Sequence, residues 1–387
     1  MSKFHTINKF STRGKTVLYG WGQSLALPLA RGHLDRVFKE PVCLKNEQDF
    51  ALPKEQEIIN IATGWGHSLL GTKDHQVYAF GLNQSGQLGT SQSGGLVMSH
   101  QPIKFLACGR EHSHIVTKNE NGTTHLYSFG NNMYGQLGLG QNKNTNPGKM
   151  MLEREPKVVQ QQISGMNIKH IVCGLDHTIL ATEEENDDDS LWGMGWSADG
   201  QLGQGKEDKD RPSKLPLSSG QIKKLASSTD FTLALNHDGR IWVWGNSEYG
   251  QGVQGKIIDR ILEPLEVKVK NVVDIAAGGP FSVLLTNDGT VHTCGYGALG
   301  LGKEKIQTLE LTKIECLKDI KKVFATTDYA AAITESGELY TWGLNGPSGR
   351  LGLGHCQHSF EPKRVNLTQP VLDVYLGTNH ALAVCAE

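Results

Sequence analysis

The stretch Leu339-Tyr-Thr-Trp-Gly343, followed by Leu-Asn-Gly-Pro-Ser-Gly-Arg-Leu-Gly at 344–352, recurs along the whole chain in recognisable copies. Each copy is a short alternating apolar run that ends in glycine, and three of the seven copies continue into a loop ending Gly-Gln-Leu-Gly. The copies are roughly fifty residues apart, and a regular period of this length indicates a repeat architecture. The glycines that end the runs are Gly22, Gly81, Gly130, Gly195, Gly245, Gly295 and Gly343.

A second motif alternates with the first. It is a strand-like run that ends in Gly-x-x-His, as in Gly64 to His67. The histidine recurs at His112, His177 and His380, whereas the three remaining copies have Phe231, Phe281 and Tyr329 there. Each motif occurs seven times. The chain begins with an aromatic run and ends with a Gly-x-x-His run.

Turn signals separate the runs, as in Asn236-His-Asp-Gly239 and Asn287-Asp-Gly289. Asp-Gly and Asn-Gly between apolar runs are strong hairpin signals, and no long helical periodicity is present. Four short strands in each repeat predict an all-β fold, namely a single seven-bladed β-propeller over residues 17–387 behind a basic tail at 1–16. We expect residues 17–22 and 371–384 to pair, complete the seventh blade and close the ring.

Composition restricts the function classes. The chain of 387 residues has 38 basic and 40 acidic residues and a net charge of −2, which argues against an extended nucleic-acid-binding surface. No apolar run approaches the ~20 residues that span a membrane, so any membrane association would be peripheral. The seven cysteines show no Cys-x-x-Cys spacing. Cys108 and Cys173 lie just before a repeat glycine, where other copies have small residues, and we interpret these two as reduced core residues of a monomer in a reducing compartment.

The N-terminal segment is basic. Residues 1–34 contain no Asp or Glu, but they include Lys3, Lys9, Arg13, Lys15 and Arg31. This composition is typical of a mitochondrial transit peptide, and it is equally compatible with a frayed basic tail of a cytoplasmic protein.

Specific stretches resemble a known family. Phe80-Gly-Leu-Asn-Gln-Ser-Gly-Gln-Leu-Gly89 and the matching residues 129–138, together with the Gly-x-x-His motif, are similar to the regulator of chromosome condensation repeat. The resemblance covers residues 17–385. Residues 244–249, 294–300, 342–350 and 360–365 look most like the mitochondrial exchange-factor-like member of that family.

The resemblance implies a function. It implies a non-enzymatic guanine-nucleotide exchange factor for a dynamin-like fusion GTPase at the mitochondrial inner membrane. The same resemblance implies an alternative, which is an RNA-associated scaffold for mitochondrial ribosome assembly.

The residue before each repeat histidine or aromatic is acidic in four copies, and one shared turn places all four on one face of the ring. By resemblance, this turn contacts the GTPase, where a carboxylate near the phosphate-binding lysine or the magnesium ion would weaken nucleotide affinity. The alternative is that these residues only cap tight turns. The four candidate partner-binding residues are Glu111, Asp176, Asp230 and Asp328.

Basic pairs are the candidates for RNA contact in the alternative function, and these are Lys223, Lys224, Lys321, Lys322, Lys363 and Arg364. We expect no metal at the repeat histidines, because aromatic residues replace them in other copies. No cofactor motif and no catalytic constellation at usable spacing is present, so we expect no enzymatic site.

Overall fold

Seven four-stranded antiparallel sheets form the structure, a computed structural model that describes residues 15–30, 36–92, 94–160, 162–184, 186 and 188–387. The predicted all-β, seven-bladed propeller is confirmed. Blades 1 to 6 take four consecutive strands each from β3 to β26, and blade 7 contains β27, β28, β1 and β2. Two short 3-10 segments, Ser24–Ala26 and Leu44–Asn46, flank β2.

The strands have the following bounds: β1 Thr16–Gln23, β2 Val37–Cys43, β3 Ile58–Thr63, β4 His67–Thr72, β5 Val77–Gly81, β6 Gly94–Met98, β7 Ile103–Cys108, β8 His112–Lys118, β9 Thr124–Asn131, β10 Leu152–Val158, β11 Ile168–Cys173, β12 His177–Glu183, β13 Asp189–Gly195, β14 Lys209–Lys214, β15 Ile222–Ser227, β16 Phe231–Asn236, β17 Ile241–Asn246, β18 Arg260–Val267, β19 Val272–Ala277, β20 Phe281–Thr286, β21 Val291–Tyr296, β22 Gln307–Lys313, β23 Ile320–Thr326, β24 Tyr329–Thr334, β25 Leu339–Gly343, β26 Ser359–Arg364, β27 Val371–Leu376 and β28 His380–Ala386.

Ring closure occurs in blade 7, where strands from the two ends of the chain pair. Strand β1 lies antiparallel to β28, with pairs running from Thr16 opposite Ala386 to Gly22 opposite His380. The predicted pairing of residues 17–22 with the C-terminal half-repeat is therefore confirmed. Because β1 also pairs with β2, it is an interior strand of its sheet.

The innermost strand of every blade contains a register shift near its start, for example between Ile58 and Asn60 in β3. A β-bulge inserts one extra residue and so changes which side chains share a face of the strand. This explains why the repeat places apolar residues three apart, as at Ile168 and Ile171, whereas a regular strand alternates with a period of two. The seven innermost strands line a central channel of about 590 Å³.

The repeat glycine packs against the turn between the first two strands of its own blade. In blade 4, Gly245 has φ +104, and a Cβ atom there would lie 2.3 Å from the carbonyl oxygen of Asp230. The next residue, Asn246, donates its backbone N–H to the same oxygen at 2.9 Å. Equivalent hydrogen bonds occur in all seven blades, so the glycine is required by close approach and by its backbone conformation.

Hydrogen bonds of the repeat histidines join neighbouring blades. The Nε2 atom of His67 lies 2.8 Å from the Ser113 hydroxyl, and the Nε2 atom of His112 lies 3.1 Å from the Thr178 hydroxyl. Tyr329 takes the same place in blade 6 and donates its hydroxyl to the carbonyl oxygen of Gly377 at 2.6 Å. These side chains are therefore structural connections between blades.

Replacing Gly245 by alanine is expected to destabilise the protein by about 3 kcal/mol or more, because the new methyl group would collide with a backbone oxygen. Urea unfolding measures the difference. Gly205→Ala is the matched control, since Gly205 also has positive φ (+84) but has no atom within 4 Å of the added Cβ. We expect the control variant to lose only about 1 kcal/mol of stability. Equal losses for the two variants would contradict the close-approach explanation.

Candidate functional site

Four acidic turns lie on one face of the ring, as expected from their shared repeat position. We define the acidic face as the face that contains Glu111, Asp176, Asp230 and Asp328, each in the turn between the first two strands of its blade. Three of these residues belong to the consecutive blades 2, 3 and 4, and Asp328 belongs to blade 6. The structure thus brings three predicted residues together and places the fourth two blades away from Asp230.

Asp176 has a nearly buried carboxylate and forms an ion pair with a partly exposed arginine of the neighbouring blade. Arg110 from the turn of blade 2 contacts its carboxylate, and the side-chain amide of Gln136 lies 3.4 Å from it. Burial raises the pKa of Asp176, and the charge of Arg110 opposes that effect. Asp176 therefore has most of its charge balanced inside the protein.

Asp230 has a different electrostatic environment. Its carboxylate accepts a hydrogen bond from Gln201 at 3.3 Å, and no lysine or arginine of the described residues forms an ion pair with it. Burial, followed by the nearby charge of Asp199, raises the pKa of Asp230 to about 6. A partly buried acid without a paired cation keeps a strong local field when it is ionised.

The other two acids have local partners. Glu111 accepts hydrogen bonds from the Ser85 hydroxyl at 3.1 Å and from the amide of Asn131 at 2.9 Å. Asp328 is more open, with 47% of its side chain exposed, and lies 3.7 Å from a guanidinium nitrogen of the nearly buried Arg350. Neutral hydrogen-bond donors therefore hold Glu111, whereas an arginine lies near the exposed Asp328.

The turn-capping alternative does not describe Glu111, Asp176 and Asp230. In the described part of the chain, the hydrogen bonds of Glu111, Asp176 and Asp230 go to other side chains. Their backbone carbonyls instead accept the N–H group that follows the repeat glycine. Side chains of the preceding blade make most of these contacts, and Asn131 of the same blade makes one with Glu111.

Sequence reasoning missed several residues that orient the acids. Gln136 and Gln201 are the glutamines of Gly-Gln-Leu-Gly, and each reaches from one blade to the acid of the next. The recurrence of this glutamine was the signal that could have identified its role. Asp199 pairs with Arg260 at 2.6 Å and lies beside the Asp230 carboxylate, and no repeated motif marks either residue.

The basic pairs do not share one surface. Four of the six residues lie on innermost strands that line the channel, where Lys224 pairs with Asp274 at 2.6 Å and Lys322 with Asp373 at 3.3 Å. Lys223 donates to the carbonyl oxygen of Val273 at 2.6 Å, and burial lowers its pKa. The other lining lysine is Lys321.

The remaining pair of candidate cations is on the outside of the ring. Lys363 and Arg364 are exposed on β26, the outermost strand of blade 6, and contact Glu361 at 3.6 Å and Glu338 at 3.0 Å. An RNA strand would therefore meet only part of the candidate set on any one surface.

Among the described residues, His112, His114 and Cys173 are buried and hold possible metal-ligand atoms close together. The hydroxyl oxygen of Thr178 lies among them, 3.1 Å and 2.9 Å from the two histidine Nε2 atoms and 3.8 Å from the cysteine sulfur. Burial lowers the pKa of both histidines and raises that of the Cys173 thiol to about 12. The neutral thiol and the intervening hydroxyl favour a hydrogen-bonded cluster.

The seven cysteines are all free thiols. Within the described ranges, the fold contains no helix with the length and hydrophobicity needed to cross a membrane.

Comparison with known proteins identifies the repeat. The family described as "Regulator of chromosome condensation (RCC1) repeat" matches residues 125–181, 188–235 and 336–384, and a second form of it matches 58–87, 222–251 and 272–300. The RCC1-like G exchanging factor-like protein of Mus musculus is 29% identical over 378 residues, which cover 87% of this chain and 78% of that protein. Its Homo sapiens counterpart is 28% identical over 373 residues, which cover 87% and 77%.

Two solved structures share the fold along nearly the whole chain. The crystal structure of human WBSCR16 has a TM-score of 0.80 at 25% identity and covers 97% of this chain and 100% of its own. Prp20p from Saccharomyces cerevisiae has a TM-score of 0.81 at 21% identity and covers 98% and 93%. The latter structure was described together with the binding properties of Prp20p to Gsp1p and histones.

Asp230→Asn is expected to stabilise the protein at pH 7.5 by about 1 kcal/mol, after allowance for partial solvent screening. The folded state binds the proton more tightly than the unfolded state, because the pKa is raised to about 6 from 3.8. The carboxylate therefore costs stability as pH rises through this window, and the advantage of the variant should vanish below about pH 4. Thermal unfolding of the variant and the wild type from pH 4 to 8 measures the stability difference. A stability difference independent of pH would contradict the raised pKa of Asp230.

Lys224→Gln is expected to destabilise the protein by about 2 kcal/mol, because it leaves Asp274 partly buried without its cation. Lys363→Gln on the outer strand is the control, with an expected change below about 0.5 kcal/mol. Chemical denaturation of the two variants tests whether the channel lysines have a structural role. Similar stability of the two variants would count against it.

Proposed function

The chain belongs to the regulator of chromosome condensation (RCC1) repeat family, and from this premise we propose that it binds a GTPase and promotes guanine-nucleotide release. Its relatives include RCC1-like G exchanging factor-like proteins. The acidic face is the proposed contact surface, and Asp230 is the residue with which the partner's nucleotide site would interact. The protein acts by binding and is itself no enzyme.

The observation that supports this proposal most directly is the electrostatic state of Asp230. Its carboxylate lacks an ion-pair partner among the described residues and lies beside Asp199, whereas Asp176 is balanced by Arg110. An ionised carboxylate that a partner covers would attract the lysine or magnesium ion that holds the nucleotide phosphates. This competition lowers the affinity of the GTPase for its nucleotide more than its affinity for the propeller, and the nucleotide is released.

The pKa of Asp230 sets the pH range of this action. Because that pKa is about 6, the side chain is ionised above pH 6 and becomes neutral below it. The attraction for the partner's cations is therefore present at pH 7 to 8 and lost as pH falls toward 5.

We also propose a mitochondrial location and, as the partner, a dynamin-like GTPase of the inner membrane. The support for the location is the acid-free, basic composition of residues 1–34, of which 1–14 and 31–34 lie outside the described residues. The support for the partner is the resemblance of residues 244–249, 294–300, 342–350 and 360–365 to the exchange-factor-like family member. Import of the full chain into isolated mitochondria tests the location. Protection from added protease that depends on membrane potential is the expected result, and complete digestion would contradict it.

The function is tested by release of fluorescent GDP from purified mitochondrial GTPases, including the dynamin-like fusion GTPase. We expect the wild-type chain to accelerate release, and Asp176→Ala/Asp230→Ala to lose most of that acceleration, by about tenfold or more. Asp238→Ala is the matched control, because Asp238 is an exposed acid in blade 4 at the opposite end of β16 from Asp230. The control should retain full acceleration.

Two results would contradict the proposal. Acceleration that survives in the double variant would remove the acidic face from the mechanism. No acceleration on any GTPase of the panel would favour the RNA-associated alternative, for which crosslinking to mitochondrial ribosomal RNA is the direct measurement. Thermal unfolding of each variant shows whether the fold is intact.

A further inference from the structure

The acidic face contains a pair of aromatic rings between blades 4 and 5. Tyr249 and Tyr296 lie with ring centroids 5.7 Å apart and an interplanar angle of 30°. They are 39% and 40% exposed, which is high for large apolar side chains. Tyr296 is on the acidic face because its backbone N–H donates to the carbonyl oxygen of Pro280, in the turn equivalent to that of Asp230.

This pair occupies a repeated position. Its members are the fourth residue after one repeat glycine, Gly245, and the first residue after the next, Gly295. The same position between blades 2 and 3 holds Tyr134 and Trp196, whose rings form a T-shaped contact at 4.4 Å.

Between blades 3 and 4, the equivalent residues are polar. Asn246 donates its side-chain amide to Asp199 at 3.3 Å. Two aromatic pairs therefore flank a polar pair, Asp199 and Asn246, along the edge of the acidic face.

The pair Tyr134 and Trp196 shows what such a pair can bind. The amine of Lys143 lies 4.2 Å from the ring centroid of Tyr134 and 5.1 Å from that of Trp196. A cation within about 6 Å of an aromatic face is attracted by the ring quadrupole. The fold thus already places a lysine at this position, in contact with both rings.

The pair Tyr249 and Tyr296 has no such cation, since within the described residues no lysine or arginine lies over either ring. The exposed charges on the connection between β17 and β18 are Glu248, Lys256 and Asp259, and Glu248 directly precedes Tyr249 in the chain. Arg260, the first residue of β18, pairs with Asp199 and does not lie over the rings. Exposed tyrosines beside carboxylates are complementary to a positively charged group with an aliphatic stem.

We propose that Tyr249 and Tyr296 form a binding site for a lysine or arginine side chain of the protein partner. The aliphatic stem of that side chain packs on the rings, and its charge lies near Glu248. The identification of that partner as a GTPase rests on the proposed function, whereas the chemistry of the site rests only on the residues described above.

The test uses an array of 12-residue peptides that tile the surfaces of the GTPases in the release assay, each beside a copy with Lys and Arg replaced by Gln. The full chain is the probe. We expect peptides that bind it to lose binding in the Gln copies, and to bind Tyr249→Ala/Tyr296→Ala roughly three- to tenfold more weakly. Tyr249→Phe/Tyr296→Phe keeps both rings and should bind as the wild type does.

A matched control is Leu96→Ala, because Leu96 is 48% exposed on the outer strand β6, away from the aromatic pair. Thermal unfolding shows that each variant is folded. Glu248→Gln should also bind more weakly, because it removes the carboxylate beside the rings. Equal binding by Tyr249→Ala/Tyr296→Ala and the wild type would overturn the proposal, as would the absence of any bound peptide. Peptide binding that depends on the rings without accelerated GDP release would sustain this site and reject the exchange function.

Discussion

The close contact between each repeat glycine and the carbonyl oxygen of the neighbouring turn is the constraint on which the rest of the structure depends. At Gly81 an added Cβ would lie 2.2 Å from the oxygen of Gly66, and at Gly343 it would lie 2.5 Å from that of Asp328. The contact fixes the third strand against the turn between the first two strands. It also determines where the acidic side chains project, because the residue that supplies the oxygen is the one that supplies the acid.

Contacts between blades then assign a different electrostatic character to each acid. Arg110 balances the charge of Asp176, whereas Asp230 has the amide of Gln201 and the repelling charge of Asp199 as neighbours. The repeat thus places the acids at equivalent backbone positions, and the different neighbouring side chains give each acid a different electrostatic environment. A surface built in this way can concentrate its charge in one or two blades while the backbone stays nearly the same in all seven.

The sequence was sufficient to predict the propeller, its blade number and the pairing that closes it, because glycine spacing and turn signals report backbone geometry directly. It also predicted that Glu111, Asp176 and Asp230 share a face. It could not predict the pairing of Asp176 with Arg110, since that contact joins different blades and depends on side-chain length. The candidate lysines Lys224 and Lys322 were chosen only because they are charged. Each lies at a strand bulge that changes which face of the strand its side chain occupies, and the sequence pattern did not reveal these bulges.

The pairing of β1 with β28 has a consequence for how the protein is made. Residues 16–22 find their partners only at 380–386, so blade 7 cannot form until those residues have been synthesised. At about 5–20 residues per second, β1 waits roughly 20 to 70 s on the ribosome with one edge unpaired. An unpaired strand edge invites association with other chains, which makes the nascent protein a natural client for chaperones during that interval.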